Sequence, residues 1–496
     1  MFLIPNIYRQ ISEGNLEWFY YTLTPARYLF PDIPLYALCR MVIPDAIGAY
    51  LLNIYVNFAL FVGAVFLLAR RFFPAAKAAS ILTVIAATCA IATIPGFTDR
   101  GVVRGLFYPS CHAEGLIWGL YTFFFGLRLV EKFSARRFCI LAIFAFGLGF
   151  SDPLALAVSG FATVIVLALS PILPRWKRFA GALGILASML AGSFLADRLI
   201  PLSPFQYMHQ VAPSLERFKE TFLIFLKDFR LPFVALASVA GILGVFWAYR
   251  NLKSEPHKLW GILAVALLPV AAALGNARYI STDCWHYFPF TFFLAVASVI
   301  SILAPRRGVL AGLCLLTIFS TLWSYARVPA TNWESVTYTP LAKRLDELKE
   351  PLGLQAGFAE VSSAMPANFT SKQGITVTPL NRFSELYLMN NSMADFGFGF
   401  TTEKPLTYNF VVADREIDTM RILETFGEPA RVENITYENH PAVLLIYEKN
   451  LAPIMEKTPI VWELIQARVK HNPYFLKPEQ KELLMKFLNE KATQSR

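Results

Sequence analysis

Residues 231–249 read LPFVALASVAGILGVFWAY, without a single charged side chain. A helix that crosses a bilayer needs about 20 mostly apolar residues, because lipid offers its backbone no hydrogen-bond partner. The same reading applies to 78–95 (AASILTVIAATCAIATIP) and to the two runs within 286–325, on either side of Arg306 and Arg307. One soluble core does not use so many such runs. Composition agrees: 55% of the 496 residues are hydrophobic and 16% are charged, against about 25% charged in soluble domains.

Working outward, the apolar pattern predicts about ten spans, near 48–69, 78–95, 114–130, 138–151, 154–172, 179–196, 231–249, 259–275, 287–303 and 308–325. The expected fold is therefore a polytopic α-helical membrane domain over 47–326, followed by a small α+β soluble domain over 327–450 and a charged helical tail over 451–496. The partner of such a chain is the lipid bilayer. A formal net charge of +10 does not point to nucleic acid, since most Lys and Arg flank the apolar runs. Cys89, Cys139 and Cys314 fall inside those runs and read as small hydrophobes.

Alternate connections are basic. Arg70, Arg71 and Lys77 form the first group, and Arg128, Lys132, Arg136 and Arg137 the second. Arg175, Lys177 and Arg178, then Arg250, Lys253 and Lys258, then Arg306 and Arg307 continue the series. The positive-inside rule puts these in the cytoplasm. The soluble domain is then extracytoplasmic, and the setting is a bacterial inner membrane. Residues 1–46 would also lie outside, as an aromatic interfacial loop. Such a loop ordinarily follows a first span, so an eleventh helix upstream of Met1 is an expectation. Residues 214–230 (SLERFKETFLIFLKDFR) put Phe218, Phe222, Phe225 and Phe229 on one helical face and Glu216, Lys219, Lys227 and Asp228 on the other. That pattern is an amphipathic helix, lying in the headgroup plane or packed on its own membrane domain.

Beyond residue 327 the period changes. Short β-rich runs appear at 357–361, 373–380, 408–413 and 443–448, with helical patterns at 340–350 and 415–426 between them. Pro351 with Gly353, and Gly427 with Pro429, are the expected stops. No metal-ligand spacing, phosphate loop or nucleophile elbow is visible in this domain.

Ionisable residues away from the cytoplasmic edge are the best functional pointers in a membrane domain, because burying them is costly. Asp32 lies between two prolines in Pro31-Asp32-Ile33-Pro34-Leu35-Tyr36; its plainer reading is a helix cap. The loop 97–115 combines Asp99, Arg100, Arg104, His112 and Glu114. Its arginines suit a phosphate or pyrophosphate, and His112 with Glu114 suits a proton relay or a metal ligand pair. A loop tied by its own salt bridges reads equally from the same residues. Ser151-Asp152-Pro153 reads as the cap of the following span. Finally, 276–288 (NARYISTDCWHYF) carries Arg278, Asp283 and His286 among interface aromatics.

This plan resembles the C-type (GT-C) integral-membrane glycosyltransferases. The string Pro31-Asp32-Ile33-Pro34-Leu35-Tyr36 is similar to a Pro-Pro-Leu-Tyr stretch of that family, and Arg278-Tyr279 is similar to an Arg-Tyr element before a late span. The family's acidic pair should precede Tyr8, where this sequence has Ile4-Pro5-Asn6-Ile7. Either the acid lies upstream of Met1 or the chemistry has been lost. The resemblance implies transfer of a sugar from a polyprenyl-phosphate donor to an acceptor at the extracytoplasmic face. It implies Asp32, Asp99 or Asp283 as the catalytic carboxylate, Arg100, Arg104 and Arg278 on the donor phosphate, and His112, Glu114 and His286 as a proton relay. It names no certain cofactor, and a divalent metal on the same carboxylates is the alternative to their taking the proton. The alternatives are a non-catalytic envelope protein whose external domain binds a partner, and a transporter or flippase. The sequence names neither the sugar nor the oligomeric state.

Overall fold

The computed structural model describes residues 3–12, 21–22, 30–72, 113–151, 155–199, 337–381, 384–386, 391–392, 406–414, 419–437, 440–456 and 458, with 216, 219, 223, 246 and 250 singly. The spans expected at 78–95, 259–275, 287–303 and 308–325 lie outside these residues, as do 231–249 apart from the helical, exposed Phe246 and the tail beyond residue 458. The chain divides into two units. One joins Met1–Pro25, Asp197–Gln206 and Thr331–Arg496; the other joins Ala26–Ala196 and Tyr207–Ala330.

In chain order the described elements begin with α1 (Leu3–Ser12) and the short strand β1 (Tyr21–Thr22). Then come α2 (Asp32–Val42), α3 (Ala46–Phe72), α4 (Ala113–Glu131) and α5 (Ala135–Ser151). A π-helical turn (Leu156–Gly160) leads into α6 (Phe161–Leu169), and α7 (Arg175–Leu199) closes the helical series. The stretch 1–46, expected as one loop, thus contains helices at both ends. Its apolar residues recur at helical spacing, and Ile4 and Ile7 are fully buried. Five of the expected spans coincide with α3, α4, α5, the π turn with α6, and α7. Of these, Ala46–Leu68 within α3 and Arg175–Ala196 within α7 are long and apolar enough to cross a membrane. In the segment expected as an amphipathic helix, Glu216 and Lys219 of the expected polar face are helical and exposed, and Leu223, an apolar residue, is exposed with them.

Small residues let the helices touch. A Cβ on Gly119 would stand 2.4 Å from Ser159 Oγ, and one on Gly126 would stand 2.6 Å from Thr163 Cγ2, so α4 meets the π turn and α6 through a small-residue seam. Such seams substitute for hydrophobic driving force between helices in lipid. At the turn between α4 and α5, Arg137 donates to the Arg128 carbonyl at 2.6 Å, and Glu131 lies 3.5 Å from Arg128 and 3.9 Å from Arg137. Arg178 Nε donates to the Leu173 carbonyl at 2.6 Å where α7 begins. Arg137 thus answers a carbonyl left open in the last turn of α4, and Arg178 one in the link that precedes α7.

The unit that includes Thr331–Arg496 continues with α8 (Pro340–Leu352), β2 (Ala356–Glu360), α9 (Val361–Thr370), β3 (Thr376–Leu380) and β4 (Asn391–Ser392). It ends with β5 (Tyr408–Ala413), α10 (Thr419–Phe426), β6 (Arg431–Tyr437), β7 (His440–Ile446) and α11 (Ala452–Glu456). Pro340 opens α8, and Gly353, at φ +63°, ends it, with Leu354 N donating to the Lys349 carbonyl at 2.9 Å. Pro351 is tolerated in the last turn, so the stop is Gly353 rather than both residues. Gly427, at φ +78°, ends α10.

The main sheet has the order β3-β2-β5-β7-β6. β2 is parallel to β3 and to β5, while β7 is antiparallel to β5 and to β6. Leu341 and Leu345 of α8 and Ala364 and Ala367 of α9 pack on one face, against Ala359, Phe410, Val412 and Leu444. Phe426 of α10 stacks on Phe358 at 5.7 Å, on the opposite face. Within the expected small α+β unit the sheet is mixed: a parallel β2-α9-β3 crossover joins an antiparallel β5-β7-β6 half, and helices lie on both faces. The missed element was α9, whose Ser-Ser pair and Pro366 obscure its period. β6 was missed because it is a polar edge strand, exposed at Arg431, Val432, Asn434 and Thr436.

Candidate functional site

Asp32 is the one expected catalytic carboxylate among the described residues. It is the first residue of α2 and is 1% exposed. Pro31 holds the N-cap position, and its carbonyl accepts from Leu35 N at 2.9 Å. The capping reading of Asp32 is therefore corrected: it occupies the first turn, where the peptide N–H groups and the positive end of the helix dipole converge. Pro34 fits there because first-turn N–H groups have no partner within the helix.

The approach to Asp32 is fixed by the bundle. Phe30 N donates to Ser151 Oγ at 3.1 Å, at the end of α5. The Phe30 ring meets Trp118 of α4 edge-on at 5.0 Å, and Trp118 stacks on Phe144 of α5 at 4.1 Å. Trp118 Nε1 also donates to the Phe144 carbonyl at 2.9 Å. Gly147 makes room for both rings, since a Cβ there would stand 2.9 Å from Phe30 and 3.2 Å from Trp118. On the other side, Tyr36 Oη donates to the Ala46 carbonyl at 3.0 Å and ties α2 to α3. Arg40 donates to the Pro44 carbonyl. Asp45 Oδ2 caps α3 by accepting from Gly48 N at 2.6 Å.

The buried stripe of α3 runs Tyr50, Asn53, Asn57, Phe61, Ala64 and Leu68. Its first half is polar and its second half is not. Asn53 and Asn57 are fully buried, and among the described residues neither Asn53 Nδ2 nor Asn53 Oδ1 has a hydrogen-bond partner. Sequence reading passed over both asparagines because they sit in an otherwise apolar run. Two carboxamides four residues apart on one helical face were the signal.

The remaining expected residues divide simply. Glu114 belongs to the first turn of α4. Asp99, Asp283, Arg100, Arg104, Arg278, His112 and His286 lie outside the described residues. Among the described residues, no group of three or more His, Cys, Asp or Glu side chains comes together to hold a metal.

No family model matches the chain, and no curated protein matches it. Among solved structures, the chain is similar to the crystal structure of ArnT from Cupriavidus metallidurans bound to undecaprenyl phosphate. The likeness covers 89% of this chain and 92% of that one, at 11% identity and a TM-score of 0.50. The chain has GT-C-like architecture. It follows the fold of a polytopic helical membrane protein and carries the likeness through both of its units, as the coverage requires.

Proposed function

We propose that this chain is a membrane glycosyltransferase, moving a sugar from a polyprenyl-phosphate donor to an acceptor at the extracytoplasmic face of a bacterial inner membrane. The observation that carries the reading is the GT-C-like architecture, shared over 89% of the chain with a protein whose structure holds undecaprenyl phosphate. The buried Asp32, set rigidly at a helix start, gives that architecture a carboxylate in the membrane unit.

The chemistry needs few parts. A carboxylate, drawn from Asp32, Asp99 or Asp283, takes the proton of the acceptor hydroxyl. The acceptor oxygen then bonds to the anomeric carbon. The bond from that carbon to the phosphate oxygen breaks, and polyprenyl phosphate departs with the electron pair. Arg100, Arg104 and Arg278 hold the departing charge. His112, Glu114 and His286 relay protons around the site. The alternating cations from Arg70 to Arg307 support the sidedness, with the α+β unit in the extracytoplasmic compartment.

The test is release of sugar from a polyprenyl-phosphate donor by the purified full chain in lipid nanodiscs. Asp32→Asn, Arg104→Ala and Arg278→Ala should each lower turnover by about 100-fold or more. Full activity in all three, in protein that keeps its melting temperature, overturns the catalytic reading.

A further inference from the structure

The α+β unit has a topological switch point that the membrane chemistry does not use. β2 and β5 are parallel neighbours. β2 leads into α9, which packs on one face of the sheet and returns to β3. The chain after β5 passes to α10, whose Phe426 lies on the opposite face against Phe358, and goes on to β6 on the other side of the sheet. The connections leaving the carboxyl ends of β2 and β5 therefore diverge to opposite faces and opposite edges. In open α/β sheets, ligands bind at this divergence, outside the carboxyl ends of the strands.

Four oxygen-bearing side chains stand at that edge. Glu360 is the last residue of β2 and is 6% exposed. Ser363 lies in the first turn of α9, and Asp414 directly follows β5. Tyr437 ends β6, which runs parallel to β5 through β7 and so finishes at the same edge. Ser363 Oγ donates to Asp414 Oδ2 at 3.3 Å, Tyr437 Oη donates to the same oxygen at 3.2 Å, and the two hydroxyls stand 3.4 Å apart. All three separations are at the long end for O–H donors, which pair best at about 2.7–2.8 Å. Ser363, Asp414 and Tyr437 are partly exposed. A carboxylate flanked by two hydroxyls accepts from paired O–H donors and also offers donors in return. Two carboxylates at the same edge repel phosphate.

We propose that this edge is a carbohydrate subsite, with Asp414 accepting from vicinal hydroxyls of a neutral glycan and Ser363 and Tyr437 completing its polar shell. The subsite stands independently of the sugar transfer proposed for the membrane unit, since it requires only the sheet topology and these four residues.

The experiment uses the full chain in nanodiscs and saturation-transfer NMR with three disaccharides that differ in diol stereochemistry: cellobiose, lactose and mannobiose. Per-O-methyl cellobiose, which has no O–H donors, and inorganic phosphate are the comparison ligands. At least one free disaccharide should saturate, and the methylated sugar and phosphate should not. Asp414→Asn should weaken that binding by about tenfold, as loss of a charge-assisted acceptor does. Ser363→Ala, a half-buried truncation, should weaken it several-fold with an unchanged melting temperature. Asp32→Asn should leave binding intact whatever it does to sugar release, so the two proposals fail separately. Absence of saturation by all three sugars, equal binding of the methylated sugar, or undiminished binding by both Asp414→Asn and Ser363→Ala overturns the subsite.

Discussion

A Cβ on Gly149 would stand 2.1 Å from the Met189 carbonyl oxygen, so α5 and α7 cross backbone against backbone. Gly192 makes the reciprocal contact one turn away, where a Cβ would stand 2.2 Å from the Phe146 carbonyl. Neither obstacle is a flexible side-chain end, so any larger residue must push the helices apart. Gly149→Ala should cost about 1–3 kcal/mol, the usual penalty for overpacking a filled interior. Gly181→Ala is the matched control, since its Cβ would meet only side-chain atoms at ordinary contact distance, the Phe133 ring at 3.4 Å and Leu167 at 3.9 Å. Thermal melting in nanodiscs separates the two. Equal melting temperatures for Gly149→Ala and Gly181→Ala would show that α5 and α7 do not cross in this way.

Asp346 does comparable work in the α+β unit. It is 3% exposed in α8. Its carboxylate accepts from Tyr338 Oη at 2.9 Å, Ser371 Oγ at 2.6 Å, Lys372 N at 2.7 Å and, more weakly, Gln373 N at 3.4 Å. The turn between α9 and β3 is thus hung on one side chain of α8. Asp346→Ala takes the acceptor from two half-buried hydroxyls and two turn amides, at about 1 kcal/mol for each hydrogen bond lost. The expected loss is about 3 kcal/mol, since strain and solvent recover part of the sum. Urea unfolding followed by far-ultraviolet circular dichroism should show an earlier first transition. An unchanged midpoint would mean that the turn is held by other groups.

These two sites also show where sequence reading succeeds and where it stops. The apolar runs announced α3 to α7 because lipid requires a helix of that length wherever a chain crosses it. The crossing of α5 on α7 was not legible, because Gly149 and Gly192 meet Met189 and Phe146 only once the helices are packed. Asp32 was legible through its two prolines, which restrict the backbone whatever the tertiary context. Asn53 was not, since one amide in an apolar run scarcely alters its hydropathy. The cluster at the sheet edge was the least accessible. Ser363 is 51 residues from Asp414 and 74 from Tyr437 in sequence. Only the sheet order brings them together.

Tyr437 gives that cluster a titration signature. Its phenol is pushed up to about 12, first by burial and then by the neighbouring Asp414 and Glu360 charges, against an opposing hydrogen bond from Ser363. A folded value above the unfolded one means the native state keeps its proton longer. Stability is then fully present below about pH 10, where the free phenol begins to ionise, and is lost as pH rises through about 12. Tyr338 and Tyr447 are also raised to about 12 and share the same window. Melting temperature should therefore fall between about pH 10 and 12, and Tyr437→Phe should make that fall shallower without abolishing it. Phenolate absorbance measured alongside should show the variant losing its late-ionising component. A slope unchanged by Tyr437→Phe would place the raised phenol elsewhere.

Asn53 is a harder case, because its two possible roles predict opposite signs. As a group without a partner, its carboxamide in a buried helix face costs about 1–3 kcal/mol of desolvation with no hydrogen bond in return. Asn53→Leu keeps the branched shape and removes both polar atoms, so it should raise the stability of the free protein by about 1 kcal/mol once some repacking is allowed for. That amide lies on the same buried stripe as Tyr50 and Asn57, in the half of α3 that follows directly on α2 in the chain. If the amide finds its partner in the bound donor, sugar release should fall in the same variant that melts higher. Asn57→Leu, at the next turn, serves as the neighbouring comparison. Melting and sugar release measured on one Asn53→Leu preparation decide the matter. A lower melting temperature shows that Asn53 is already paired in the free protein. Higher stability with unchanged turnover shows that the amide meets no substrate.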